Sequence, residues 1–301
     1  MNSFCGGSFI HHAIHKDAIA LWNCMSVRLS PGSERWRSHL LSVPLGWVSQ
    51  GLMLRDRLLR VTRSLRKHDL REEFFFASGS RRLAGVFVPG EGGGPVILIC
   101  HGIGETVGHW SGVQALLRER GVGSMVFNYS GYGASSGRVR SEHCDEDLVS
   151  AYAELRRRVG TSVPVFVLGF SLGSGIAASG VGGLEPQPRG LILGEAFSSF
   201  REAVCAAGVP GWLARELPDV WNTVERVRSI GLPICVVHSD GDRLFPLEMP
   251  RKIVESCGEL DELIVIAGLS HNEAYLKPTD VYWGPVVEWI HSVGERTAEK
   301  L

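Results

Sequence analysis

The chain has 301 residues, 44% of them hydrophobic, and a formal net charge of −1. A chain of this length can bury one large core, so we expect one domain of about 230 residues behind an extension. The near-zero net charge predicts no nucleic-acid partner. The charge is uneven, because residues 1–70 hold 10 Lys/Arg and 4 Asp/Glu, net +6, which leaves −7 on the other 231 residues.

The cysteine pattern and the N-terminal residues give information on the cellular compartment of the protein. Seven cysteines without C-x-x-C spacing predict reduced thiols, and neither a disulfide framework nor a metal site. The first apolar stretch, 8–15, is interrupted by histidines and lacks a small-residue cleavage site, so no secretory signal is expected. The apolar run 40–54 contains Pro44 and is too short to span a membrane. These features predict a cytoplasmic protein.

The predicted elements begin in the extension 1–70. Residues 51–67 read as a basic amphipathic helix, with apolar side chains at helical spacing and arginines elsewhere. One interpretation is a helix packed against the folded body. The other is peripheral docking at an anionic membrane surface, where each basic residue contributes about 1 kcal/mol.

From residue 72 onward, apolar strand patterns alternate with helical ones, which predicts an α/β fold. We expect a mostly parallel, eight-stranded sheet with helices on both faces, opened by an antiparallel hairpin. The predicted strands are 72–77, 82–89, 95–100, 124–129, 163–169, 191–194, 233–238 and 263–266. Helices are predicted at 111–119, at 144–158, from the end of the fifth strand to about 180, and at 280–293.

A minimal cap is expected between the sixth and seventh strands. Residues 195–232 supply the only material for it, with short helices predicted at 209–217 and 219–228. Because so little chain is available, we expect an open pocket.

The most informative motif is Gly169-Phe170-Ser171-Leu172-Gly173, in which a β-branched run stops at a serine flanked by glycines and continues as a helix. This pattern is typical of a nucleophile elbow, where glycines leave room for closely approaching chains. Ser171 is therefore the predicted nucleophile. The segment 133–137 fits the same expression but lies among turn formers with no helix behind it, so it is interpreted as a loop.

A serine hydroxyl needs a base to accept its proton, and the base needs an acid to orient it. Two carboxylates, Asp240 and Asp242, follow the seventh predicted strand. Asp242 is the predicted acid because it lies farther out on the turn, whereas Asp240 before glycine reads as a turn residue. His271 follows the eighth strand and a glycine turn, and is the predicted general base. His291 lies in the terminal helix and is assigned to packing.

An anion site for the tetrahedral intermediate is predicted at the end of the third strand. In His101-Gly102-Ile103-Gly104, the small residues allow the backbone N–H of Ile103 to approach an oxyanion. The N–H of Leu172, directly after the serine, is the second predicted donor. His101 at the strand end is expected to fix the loop by a hydrogen bond.

Together these motifs resemble the α/β-hydrolase superfamily, in particular its serine-aminopeptidase-like branch of abhydrolase-domain proteins. The resemblance covers about residues 72–295 and includes Gly194-Glu-Ala-Phe197 and Gly268-Leu-Ser-His271. In this branch the acid lies four residues after a strand-end histidine, here His238, which again indicates Asp242. Two departures are Ser239, where glycine is usual, and residues 1–70, which match no part of the pattern.

The resemblance implies a serine hydrolase of carboxylic ester or thioester bonds that uses no cofactor. Its relatives include monoacylglycerol lipases and protein depalmitoylases, so a small acyl ester or thioester is the expected substrate. Residues 71–301 would form the catalytic domain. Alternatives left open are a non-catalytic interaction or ligand-sensing protein on the same fold, and an acyltransferase or peptidase with the same triad. Candidates for lining an acyl pocket, or for ordinary core, are Trp110, Phe170, Phe197, Trp212, Trp221 and Phe245.

Overall fold

The computed structural model describes residues 70–258 and 262–298, with side chains up to residue 294. The basic helix predicted at 51–67 lies outside these residues, as does the rest of the extension up to residue 69. Within the described ranges, no helix combines the length and the apolar character needed to cross a membrane.

One eight-stranded sheet forms the centre of the molecule, in the order β1-β2-β4-β3-β5-β6-β7-β8. Strands β3 to β8 run parallel, while β1 pairs antiparallel with β2, and β2 with β4. The predicted α/β fold with an opening hairpin is therefore confirmed. The strands are β1 Glu72–Ser78, β2 Arg81–Val88, β3 Val96–Cys100, β4 Gly123–Phe127, β5 Val165–Phe170, β6 Gly190–Gly194, β7 Ile234–Ser239 and β8 Glu262–Ile266.

The helices are α1 Ser111–Glu119, α2 Ser141–Val159, α3 Leu172–Gly180, α4 Phe200–Ala206, α5 Gly211–Ala214, α6 Thr223–Val227, α7 Glu248–Val254, α8 Glu273–Leu276 and α9 Asp280–Ala298. The helices cover both faces of the sheet. Successive side chains of a strand point to opposite faces, so a strand that is apolar throughout needs cover on each side. On β3, Leu98 joins the apolar cluster that includes Ile176 of α3. Ile97, next to it, joins the cluster that includes Ile290 of α9. Every residue of β3 is buried, as a strand covered on both faces requires.

The cap differs from its prediction in helix number. Residues 195–232 contain the three short helices α4, α5 and α6, not two. Helix α4 begins where the Ser199 side chain accepts a hydrogen bond from the backbone N–H of Glu202 at 3.2 Å. Helix α6 begins at Thr223, not at 219, because the Asn222 side chain caps it in the same way at 3.1 Å.

Candidate active site

Ser171 is the single residue between the end of β5 and the start of α3. Its φ is 51°, in the left-handed region that non-glycine residues seldom adopt. The conformation is held by the backbone N–H of Ser171, which donates to the carbonyl of Gly194 on β6 at 2.9 Å. The sharp turn places the serine at the carboxyl edge of the sheet, where the loops after the parallel strands meet.

The two glycines of the motif are required by close backbone approach. A Cβ at Gly173 would lie 1.9 Å from the carbonyl oxygen of Cys100 on β3. A Cβ at Gly169 would lie 2.4 Å from the carbonyl oxygen of Gly173. Strand β5, strand β3 and helix α3 can therefore meet at Ser171 only without side chains at these positions.

The three residues predicted from separate loops come together in the structure. Nε2 of His271 lies 2.8 Å from Oγ of Ser171, and Nδ1 of His271 lies 2.7 Å from Oδ2 of Asp242. The histidine ring packs edge-on against Phe245, with 5.1 Å between ring centroids. This arrangement can pass a proton from the serine hydroxyl to the imidazole while a carboxylate faces the opposite ring nitrogen.

Asp242 is held as an anion although it is buried. Its Oδ1 accepts hydrogen bonds from the backbone N–H groups of Leu244 at 2.7 Å and Phe245 at 3.1 Å. Burial opposes ionisation, but these bonds and the one from His271 outweigh it and lower the pKa of Asp242 below its usual value. Asp240 has a different role, because its Oδ1 accepts the N–H of Gly268 at 2.6 Å and braces the turn after β8.

The loop after β3 lies directly against the serine. A Cβ added to Gly102 would be 3.1 Å from Cβ of Ser171. The Glu105 carboxyl group accepts from the N–H of Gly102 at 3.0 Å and from the indole N–H of Trp110 at 2.8 Å, which fixes this loop. Ile103 follows Gly102 in the turn, and Leu172 is the first residue of α3, where the N–H has no partner within the helix. The predicted anion donors thus lie on the two segments that flank Ser171.

His101 is a buried structural residue. Its Nδ1 lies 2.8 Å from the carbonyl oxygen of Gly102, and its ring packs against Tyr129 with 4.6 Å between centroids. Burial lowers the pKa of His101 to about 4, so the ring is neutral at physiological pH. His291, on α9, contacts the carbonyl oxygen of Arg120 at 3.3 Å and is partly buried.

Most of the aromatic pocket candidates belong to the core. Trp110, Phe170 and Trp221 have no exposed surface, whereas Trp212 on α5 is 64% exposed. Phe170 and Phe245 are the two candidates whose rings contact His271.

Sequence reasoning missed Glu195 as a site residue. It follows β6, has a φ of 44° and is only 1% exposed. Its carboxyl oxygens accept the backbone N–H of Ser239 at 3.0 and 3.3 Å. Burial, followed by the charge of Asp242, raises the pKa of Glu195 to about 9. A carboxylate beyond an apolar strand is the signal that brought Asp240 and Asp242 forward as candidates, and Glu195 follows β6 in the same way.

Glu195, Asp242 and His271 each place one donor atom within 4.8 Å of the others, which in the described part of the chain is the one grouping of metal-ligand type. Both ring nitrogens of His271 already lie at hydrogen-bond distance from Ser171 and Asp242. The imidazole of His271 is therefore engaged on both sides by the serine and the aspartate.

Ser239, the residue that departs from the family pattern, connects two loops of the site. Its hydroxyl donates to the carbonyl oxygen of Leu269 at 2.5 Å, two residues before His271. Its N–H donates to Glu195. The serine thereby joins the end of β6, the turn that carries Asp242 and the loop that carries His271.

Comparison with known proteins shows which proteins the chain resembles. A family model described as serine aminopeptidase, S33, matches residues 94–225. An uncharacterized protein of Mycobacterium tuberculosis is 29% identical over 202 residues, covering 65% of this chain and 70% of that protein. The lysophosphatidylserine lipase ABHD12 of Danio rerio is 27% identical over 187 residues, covering 56% of this chain and 49% of that protein. The chain thus spans about half of this lipase.

Solved structures share the fold at low sequence identity. A soluble variant of monoglyceride lipase from Saccharomyces cerevisiae has a TM-score of 0.61 at 15% identity, covering 76% of this chain and 97% of the lipase. The Pyrococcus furiosus esterase Pf2001 has a TM-score of 0.58 at 17% identity, covering 76% of this chain and 94% of the esterase. The sheet order and these matches show the α/β-hydrolase fold. The chain is similar in sequence to members of the α/β-hydrolase superfamily.

Proposed function

We propose that this protein is a serine hydrolase that cleaves carboxylic ester or thioester bonds through an acyl-enzyme. The observation that carries the proposal is the continuous hydrogen-bonded path from Ser171 through His271 to Asp242. The α/β-hydrolase fold supports it, since this site lies at the sheet edge where that fold carries its chemistry.

The proposed reaction has two steps, acylation of Ser171 and hydrolysis of the acyl-serine. Oγ of Ser171 attacks the acyl carbonyl carbon while its proton passes to Nε2 of His271, and Asp242 stabilises the resulting imidazolium. Collapse of the tetrahedral intermediate breaks the bond to the alcohol or thiol, which takes the proton from His271. Water then attacks the acyl-serine, His271 accepts and returns a proton, and a carboxylic acid leaves.

The negative charge of both tetrahedral intermediates is placed against backbone N–H groups. Ile103 and Leu172 are the proposed donors. Ile103 follows Gly102, whose backbone lies against Ser171 in a loop fixed by Glu105, and Leu172 follows Ser171 directly at the start of α3. One such donor contributes about 2.7–4 kcal/mol of transition-state stabilisation in known hydrolases.

The proposed substrates carry an acyl chain on a small alcohol or thiol. The relatives and structural neighbours of the chain include lipases and an esterase. The cap at 195–232 is small, which favours a substrate that enters as a single extended chain and not as a folded polypeptide. Residues 71–301 are proposed as the catalytic domain, and membrane contact through residues 51–67 stays a prediction.

Labelling with a fluorophosphonate probe tests the nucleophile. We expect the wild-type protein to be labelled and Ser171→Ala to be unlabelled. Ser135→Ala is the matched control, because Ser135 also occupies a G-x-S-x-G pattern but donates to the carbonyl of Asn128 at 2.7 Å in a loop. An unlabelled wild type, or equal labelling of Ser171→Ala, contradicts the proposal and favours a non-catalytic role.

The substrate class is tested with p-nitrophenyl esters from acetate to palmitate and with an acyl-cysteine peptide. We expect hydrolysis of at least one of them, dependent on Ser171. Addition of an alcohol acceptor separates hydrolysis from acyl transfer, because a transferase forms a new ester where a hydrolase releases the free acid.

A further inference from the structure

A second carboxyl group, Glu195, lies beside the proposed acid of the site. It is buried at the end of β6, and its backbone is fixed in a left-handed conformation by an N–H donated to the carbonyl of Val237 at 3.0 Å. A donor atom of Glu195 lies within 4.8 Å of one on Asp242 and one on His271. The position is therefore built into the backbone and faces the acid and base of the proposed reaction.

Among the described residues, the groups that face Glu195 bring hydrogen-bond donors and acceptors but no fixed positive charge. They are Asp242 on the turn after β7, His238 and Ser239 on β7, His271 on the loop after β8, and Tyr282 on α9. Of the described residues that act on Glu195, none is a lysine or arginine. Two carboxylates that share a buried site without a fixed cation cannot both be ionised.

The hydrogen-bond pattern shows which carboxyl group holds the proton. Asp242 accepts from three N–H groups, so it is the anion. Nε2 of His238 lies 2.9 Å from the carbonyl oxygen of Phe245, which can only accept, so this nitrogen carries the hydrogen. Burial lowers the pKa of His238, and the neutral ring then turns a lone pair on Nδ1 toward Oε2 of Glu195, 3.6 Å away.

We infer that Glu195 is a positioning residue that stays protonated at neutral pH and donates its hydrogen to the carboxylate of Asp242, so that Asp242 remains oriented toward His271. This inference rests on the proposed role of Asp242 as the acid of the triad. It assigns the two carboxyl groups separate tasks, one as a hydrogen-bond donor and one as the anion beside the base.

The first test compares Glu195→Gln with Glu195→Ala in the full chain. The glutamine amide can donate to Asp242, so we expect it to restore most of the kcat/KM that alanine loses, a loss of about tenfold or more. Because a neutral group replaces a neutral group, the acid limb of the pH profile of kcat/KM should coincide with that of wild type. If Glu195 were ionised, removing its charge would shift this limb to lower pH by about one unit or more. That shift, or equal loss in both variants, overturns the inference.

The second test does not depend on hydrolysis. Infrared difference spectra at pH 7, recorded in the Ser171→Ala background, should show the C=O stretching band of a protonated carboxyl group that Glu195→Gln removes. Glu105→Gln is the matched control, because Glu105 is an equally buried carboxyl group that contacts Gly102 and Trp110 but not Asp242. It must leave the Glu195 band in place. If the band is absent, the inference is wrong even where fluorophosphonate labelling supports the proposed hydrolase. If the band is present, it supports a protonated Glu195 even where labelling fails.

Discussion

Ser171 and Glu195 are the two non-glycine residues with positive φ in the described chain, and they follow neighbouring strands β5 and β6. Such conformations cost of order 1–3 kcal/mol each and persist only where the surrounding structure holds them. Here the hydrogen bonds from Ser171 to Gly194 and from Glu195 to Val237 hold both. Backbone strain is thus concentrated at the edge of the sheet where the proposed chemistry occurs.

At the scale of single residues, Asp242→Asn tests the proposed acid. The amide cannot act as an anion beside Nδ1 of His271, so we expect kcat to fall by roughly 10⁴-fold with the fold intact. Steady-state hydrolysis of the best p-nitrophenyl ester measures this loss.

Asp240→Asn is the matched control for that measurement. Its side-chain oxygen can still accept the N–H of Gly268, so kcat should change little. An Asp240→Asn enzyme as impaired as Asp242→Asn would contradict the assignment of the acid.

At the scale of elements, apolar runs bounded by turn formers were sufficient to predict all eight strands to within about two residues. The elbow was predictable because strand, glycines and helix follow one another in the chain. Helix α4 was missed although Ser199 and Glu202 carry a capping signature, since seven residues show little periodicity. Glu195 was overlooked as a site residue because its proximity to Asp242 depends on the pairing of β6 with β7, which no local pattern reveals.

Packing between elements is tested by Gly173→Ala. The added methyl group would overlap the carbonyl of Cys100, so we expect a loss of about 3 kcal/mol or more in the free energy of unfolding. Urea denaturation measures it.

Gly182→Ala provides the comparison, because nothing lies within 4 Å of a Cβ at that position and its φ is not positive. It should be nearly neutral. If the two variants were equally stable, the tight contact between α3 and β3 would not exist in solution.

At the scale of the whole molecule, the two buried carboxyl groups link stability to pH. Burial raises the pKa of Glu105 to about 8 and, with the charge of Asp242, that of Glu195 to about 9, from an ordinary value of 4.5. The folded protein then keeps two protons that the unfolded chain releases above pH 5 or so, and stability falls as pH rises toward 8.

A Glu105→Gln/Glu195→Gln double variant should lack this dependence. Relative to it, the wild-type free energy of unfolding should fall by about 1 kcal/mol or more per pH unit between pH 5 and 8, as urea titrations at each pH would measure. Glu119→Gln, at an exposed carboxylate, controls for the change in net charge. Parallel curves for wild type and double variant would contradict the expectation.

The approach of α3 to β3 leaves no space for even one methyl group between them, whereas the cap helices α4 to α6 are short and carry the exposed Trp212. The proposed site therefore cannot be enlarged or reduced by substitutions where α3 meets β3. The cap helices, residues 200–227, are therefore the place to redesign for longer, shorter or bulkier acyl chains, because libraries confined to them leave the proposed triad and Glu195 unchanged.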